Sequence, residues 1–286
     1  MGIEGLYVPL VTPFDEDGAV DLDALERLAG EVIAGGAGGV VALGSTGEPL
    51  SLSPTESAAV VDLCARVCLE AGALLIVGAG TPDTRATIKR HEALADLPGD
   101  VAALTVVPYY VRPSDAAVVR HFEAVVDRSP VPVLVYNVPP RTGVGLGADA
   151  LLELAAIDGV VGMKQSVGAV DADTVRVLAE APDDFALLCG DDVFILPLLA
   201  LGAAGAIAAS AHFETARFAR LIRDQSPADA AALLPLVLAL FAEPNPAVIK
   251  ALLHAESRIA TPDLRMPLAN ASAAALDGAL AVSQLA

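Results

Sequence analysis

The stretch Val160-Val161-Gly162-Met163-Lys164-Gln165-Ser166-Val167-Gly168 opens as an unbroken apolar run and then carries Lys164, one of only three lysines in the chain. It reads as a short strand buried on both faces, as in parallel sheets covered by helices. An ammonium inside such a strand is costly unless something compensates it. The stem can pack while the head reaches a wet rim, or the amine can be a nucleophile. Burial disfavours the charged form, which is the condition Schiff-base chemistry asks of a lysine. The other two lysines, Lys89 and Lys250, fall in helical patterns.

Moving outward, apolar runs of the same kind recur at 5–12, 38–44, 74–80, 101–108, 131–138, 185–190 and 205–209, with helical patterns between them. Cap residues open several helices: Asp21, Ser53 before Pro54 and Glu56, and Ser114. Eight strand–helix units in this length predict an α/β fold, a (β/α)8 TIM barrel over 1–226, rather than an open doubly wound sheet. No G-x-G-x-x-G follows the first strand. Beyond 226 the strands stop, and 227–241, 246–256 and 269–285 read as a C-terminal helical extension over 227–286.

A parallel barrel places its chemistry at the carboxyl ends of the strands. Those ends hold Gly44-Ser45-Thr46-Gly47-Glu48, Pro108-Tyr109-Tyr110, Tyr136-Asn137-Val138-Pro139-Pro140-Arg141-Thr142-Gly143, Lys164 and Gly190-Asp191-Asp192. Each piece has a plain structural reading: a tight turn, packed tyrosines, a surface arginine, an aspartate cap or metal ligand. On one rim with a buried lysine they favour a site.

The composition narrows the partners. Of 286 residues 55% are hydrophobic, and the formal net charge is −19. Such a charge argues against nucleic acid or an acidic membrane. An anionic small substrate then needs a local arginine or a cluster of donors. Cys64, Cys68 and Cys189 make no disulfide framework and fit a reducing cytoplasm. Cys64 and Cys68, four apart on a helix, are read as core, and no metal site is expected. The uncharged run 193–211 is broken by Pro197, Gly202 and Gly205 and reads as a buried helix plus a strand rather than a membrane span.

These motifs, with Val11-Thr12-Pro13-Phe14, Arg112-Pro113 and Glu243-Pro244-Asn245-Pro246, resemble the dihydrodipicolinate synthase/N-acetylneuraminate lyase family of pyruvate-dependent class I aldolases, from Gly5 to about Leu268. The resemblance implies a homotetramer built as a dimer of dimers, with no metal or organic cofactor. It makes Lys164 the Schiff-base lysine and Tyr136 the proton shuttle, linked through Ser45 to Tyr110, a tyrosine that reaches across from a neighbouring subunit. Thr46 and Gly47 then take the pyruvate carboxylate, and Gly190 and Ile207 complete the substrate site. Arg141 resembles the arginine that synthases use for aspartate semialdehyde, which sialic-acid lyases lack.

Two positions depart from the synthase pattern: Ser45 stands where threonine is usual, and Gln165 where an acid is usual. Strand alternation aims Gln165 away from Lys164. The alternative is a paralogous aldolase, lyase or dehydratase for another 2-oxo acid or sugar acid. Many synthases also bind lysine at the tight-dimer cleft. Here the matching positions are Pro49, Leu50, Pro54, Ser57, Pro82 and Ala86, with only Tyr109 retained, so feedback inhibition by lysine is not expected.

Overall fold

A computed structural model describes residues 2–283. Each apolar run forms a strand, and helices alternate with them: β1 (Gly5–Pro9), α1 (Leu22–Ala34), β2 (Gly39–Ala42), α2 (Pro54–Ala71), β3 (Leu74–Gly78), α3 (Thr84–Glu92), β4 (Val101–Val106), α4 (Asp115–Val126), β5 (Val133–Asn137), the single turn α5 (Pro139–Thr142), α6 (Ala148–Ala155), β6 (Val160–Gln165), α7 (Ala172–Glu180), β7 (Ala186–Cys189), α8 (Ile195–Ala200), β8 (Gly205–Ile207) and α9 (Thr215–Asp224). Neighbouring strands are all parallel, and β8 closes on β1 through Gly5↔Gly205, Leu6↔Ala206 and Tyr7↔Ile207. The molecule is a closed (β/α)8 barrel.

Alternation sorts each strand between two cores. Val41, Ile76, Leu104, Leu134, Leu188 and Ile207 fill the barrel interior. Val8, Val40, Leu75, Ala103, Val135 and Met163 face the helix layer. Cys64 and Cys68 lie in that outer core, where burial pushes the Cys68 thiol up to about 11 and raises Cys64 as well. Asp21 accepts from the Ala24 amide at 2.9 Å, and Ser53 and Glu56 form a full capping box. Ser114 occupies the N-cap position of α4 without a side-chain hydrogen bond.

The expected strands overrun the observed ones, mostly at the carboxyl end: 5–12 against Gly5–Pro9, and 101–108 against Val101–Val106. The reason is that burial continues after pairing stops. Leu10 keeps one ladder bond, from its amide to Val41 O at 3.1 Å, and Val11 and Thr12 lie beyond it. Yet all three remain buried, Val11 in the core of the C-terminal helices and Thr12 against Lys250.

Those helices are α10 (Pro227–Leu240), α11 (Ala247–Ala255) and α12 (Ala273–Ser283). The last begins at Ala273 rather than 269, because Asn270 is engaged by the Leu264 amide and Asp263. Its expected end at 285 lies outside the described residues. Leu236, Leu240, Val248 and Leu252 share one core with Val11, Ala24 and Leu28 of the barrel. The 193–211 run divides into α8 and β8, and no helix among the described residues is long and apolar enough to cross a membrane.

Candidate active site

At the carboxyl-end rim lies a cavity of about 420 Å³ lined by Ser45, Glu48, Pro49, Leu50, Tyr109, Tyr136, Val138, Arg141, Thr142, Arg265 and Met266, among others. Lys164 is not among its lining residues. It stands beside Tyr136 on the adjacent strand, in direct register, with Nζ 4.7 Å from the centre of the tyrosine ring.

Lys164 is 6% exposed, and among the described residues its amine has no hydrogen bond or ion pair. Its stem runs against Gly190. A methyl group there would come within 2.7 Å of Lys164 Cε and collide with Ser166 Oγ. Glycine is therefore what leaves room for the lysine chain. Ser166, two residues on and so on the same face of the strand, is buried with its hydroxyl unpartnered. Gln165 points the other way, accepting from Asn137 Nδ2 at 2.9 Å and donating to Thr174 Oγ1 at 2.9 Å. Asp191 and Asp192 do not pair as metal ligands. Asp191 accepts from the Gly168 amide at 2.7 Å and Asp192 from the Ser210 amide at 2.7 Å. Burial raises both carboxyls, opposed by those hydrogen bonds and by the charge of Lys164. Among the described residues no group of three or more potential ligands could hold a metal ion.

The turn Ser45–Gly47 is a single 3₁₀ turn, closed by the Gly47 amide on Gly44 O at 2.9 Å. Thr46 is 2% exposed, and its Oγ1 accepts from Asn245 Nδ2 at 2.9 Å. With that lone pair occupied, the hydroxyl hydrogen is left for another acceptor. Gly47 is buried and Ile207 lies inside the barrel. Arg141 is exposed on α5, and its Nη2 reaches Asn245 O at 3.4 Å.

The structure thus brings Lys164, Tyr136, Ser45, Thr46, Gly47, Gly190, Ile207 and Arg141 to one end of the barrel. Tyr110 leaves the same end of the barrel, in the segment after β4. It is 90% exposed with φ +71°, while Tyr109 takes the place in the cavity wall.

The sequence places Lys250 in a helical pattern but does not reveal that it is a second buried lysine. Lys250 on α11 is completely buried, and its Nζ donates to Glu48 Oε1 at 2.9 Å and to Thr12 O at 3.0 Å. The available signal was a lysine in Ala247–Ala255, a helix with almost no polar face to offer it.

The Dihydrodipicolinate synthetase family profile matches residues 2–282. The chain belongs to this family. A 4-hydroxy-tetrahydrodipicolinate synthase of Porphyromonas gingivalis is 35% identical over 278 residues, covering 94% of this chain and 93% of the relative. Among solved structures in the family, the chloride-inhibited dihydrodipicolinate synthase of Acinetobacter baumannii complexed with pyruvate superposes with a TM-score of 0.93. That match has 32% identity and covers 99% of this chain and 100% of the other. The Cyanidioschyzon merolae member, solved with lysine bound, gives 0.92 at 29% identity, with 99% of each chain covered.

Proposed function

We infer that this family member is a 4-hydroxy-tetrahydrodipicolinate synthase, condensing pyruvate with aspartate semialdehyde through a Schiff base on Lys164. The observation that carries the reading is the contrast between two buried lysines. Lys250 is fully neutralised by Glu48, whereas Lys164 has no ion-pair partner and stands against Tyr136 beside the cavity. A structural lysine needs the first arrangement; a nucleophilic amine needs the second.

The Lys164 amine attacks the pyruvate ketone, and the carbinolamine loses water to give an iminium. Tyr136 moves the proton that leaves with the hydroxyl. The methyl group then gives up a proton, and the resulting enamine carbon attacks the aldehyde, whose oxygen becomes a hydroxyl. The substrate's own amine next adds to the imine carbon, expelling Lys164 and closing the ring. Thr46 and the amides of its turn take the pyruvate carboxylate, with Gly190 and Ile207 shaping the space around it. Arg141 holds the semialdehyde carboxylate.

Tyr110 completes the Tyr136–Ser45 relay from a neighbouring subunit, which accounts for its exposure in a single chain. The working form is therefore an oligomer, a homotetramer in this reading, placed in the cytoplasm.

Incubation with pyruvate and borohydride should leave a reduced pyruvyl group on Lys164, located by peptide mass, and Lys164→Ala should be inert. Label on Lys89 or Lys250 instead, or no label, would remove the Schiff-base assignment. A pyruvate assay against a panel of aldehydes, read by product mass, should single out aspartate semialdehyde.

A further inference from the structure

The turn that carries Ser45 and Thr46 is held from the far end of the chain. Glu48 closes it in the left-handed region, with φ 54° and ψ 41°, which non-glycine residues rarely adopt. Both of its carboxylate oxygens are engaged, Oε1 by Lys250 Nζ and Oε2 by the Arg265 amide at 2.9 Å. The Glu48 and Lys250 side chains are each 0% exposed, and the ammonium also sits 4.0 Å above the Phe14 ring. Lys250 grips the turn a second way, through Thr12, whose hydroxyl donates to Gly47 O at 2.7 Å. A buried ion pair is weak evidence of stabilisation, because apolar replacements of similar shape often serve as well; its better-attested use is to specify one geometry.

Resting on the pyruvate reading above, we propose that Glu48 and Lys250 are positioning residues for the pyruvate step: the C-terminal extension sets the conformation of the 45–48 turn that receives the substrate carboxylate. Neither side chain touches the reacting atoms. The pair acts through the turn and through Thr12.

The test uses the paired neutral variant Glu48→Gln/Lys250→Met, which leaves no buried charge unmatched. KM for pyruvate should rise about ten-fold or more, a loss of roughly one charge-assisted contact. KM for the aldehyde should stay unchanged, and borohydride should still label Lys164 at saturating pyruvate. A folded double variant with the wild-type pyruvate KM would overturn the proposal. Because the variant can fail to fold, hydrogen exchange on the wild-type protein gives a second reading. Coupling is reciprocal, so pyruvate should increase protection of the amides in Ala247–Ala255. Protection confined to the 45–48 turn would also overturn it. Wild-type protein that pyruvate and borohydride fail to label would sink the pyruvate reading itself, and this proposal with it.

Discussion

At the scale of single residues, the mouth of the barrel depends on small groups standing where larger ones would do harm. Gly190 is the clearest case. The Cβ of Gly190→Ala would press on Ser166 Oγ and on Cε and Cγ of Lys164 together, so the lysine chain would have to move. That variant should fold, since the clash is with side-chain atoms, yet lose pyruvate labelling at Lys164 by about a hundred-fold or more, the penalty typical of a displaced reacting group. Normal labelling would show that the lysine chain has slack the geometry does not reveal. Arg141→Ala should behave oppositely. It should still form the pyruvate adduct but lose about ten- to a hundred-fold in kcat/KM for aspartate semialdehyde, the worth of one charged contact. Unchanged efficiency would leave the acceptor carboxylate without its holder. Lys164 was legible from sequence because a lysine in a buried strand has few explanations. Lys250 was not, since a helix normally offers any lysine a solvent face, and only the packed extension removes it.

Among the elements, the eight strands could be read because both faces of each are buried, so the apolar runs are unbroken. Where those strands end could not be read, because Val11 and Thr12 stay buried beyond the last pairing. The place of Tyr110 came from the family resemblance alone, because neither composition nor periodicity shows which of two adjacent tyrosines turns inward. The loop after β2 and the start of α3 carry a regulatory prediction. Asp83 and Glu56 are acids close in sequence to the positions where a lysine effector would be met, and both are occupied. Asp83 caps α3 by accepting from the Ala86 amide at 2.7 Å. Glu56 completes its capping box and pairs with Arg265, which holds its carboxyl down at about 2. With Pro82 and Ala86 offering no side-chain acceptor, added lysine at up to ~10 mM should leave initial rates unchanged. Half-inhibition below ~1 mM, an affinity of more than ~4 kcal/mol, would mean that a lysine site exists elsewhere.

For the molecule as a whole, acid should be the weak side. His91 bridges Thr105 Oγ1 and Ser129 Oγ at 2.9 Å each, His121 meets Thr84 Oγ1 at 2.9 Å, and His212 Nε2 accepts from the Val11 amide at 3.2 Å. Burial lowers all three imidazoles to about 4. In the unfolded chain they take up protons near pH ~6.5, so the stability they contribute is complete above that pH and drains away as pH falls toward 4. At the full shift this is about 3 kcal/mol for each. Asp191 and Asp192 titrate in the opposite sense, since burial raises them and protonation relieves them. Glu56 stays ionised throughout this window. The thermal midpoint should therefore drop clearly between pH 7 and pH 4.5, and His121→Gln should flatten the drop. A midpoint independent of pH over that range would show that these imidazoles are not buried neutral.

The tie between Lys250 and the β2 turn also has a consequence for how the protein comes into being. A chain emerges from the ribosome N-terminus first, and its early segments begin folding before the late ones exist. Here residues 12 and 48 meet their partners only when 250 and 265 arrive. A nascent chain can thus assemble most of its barrel while its mouth is still unset, with Glu48 waiting for its cation. Until those later residues are made, the turn that Glu48 closes lacks both of the contacts that hold its carboxylate, from Lys250 and from the Arg265 amide.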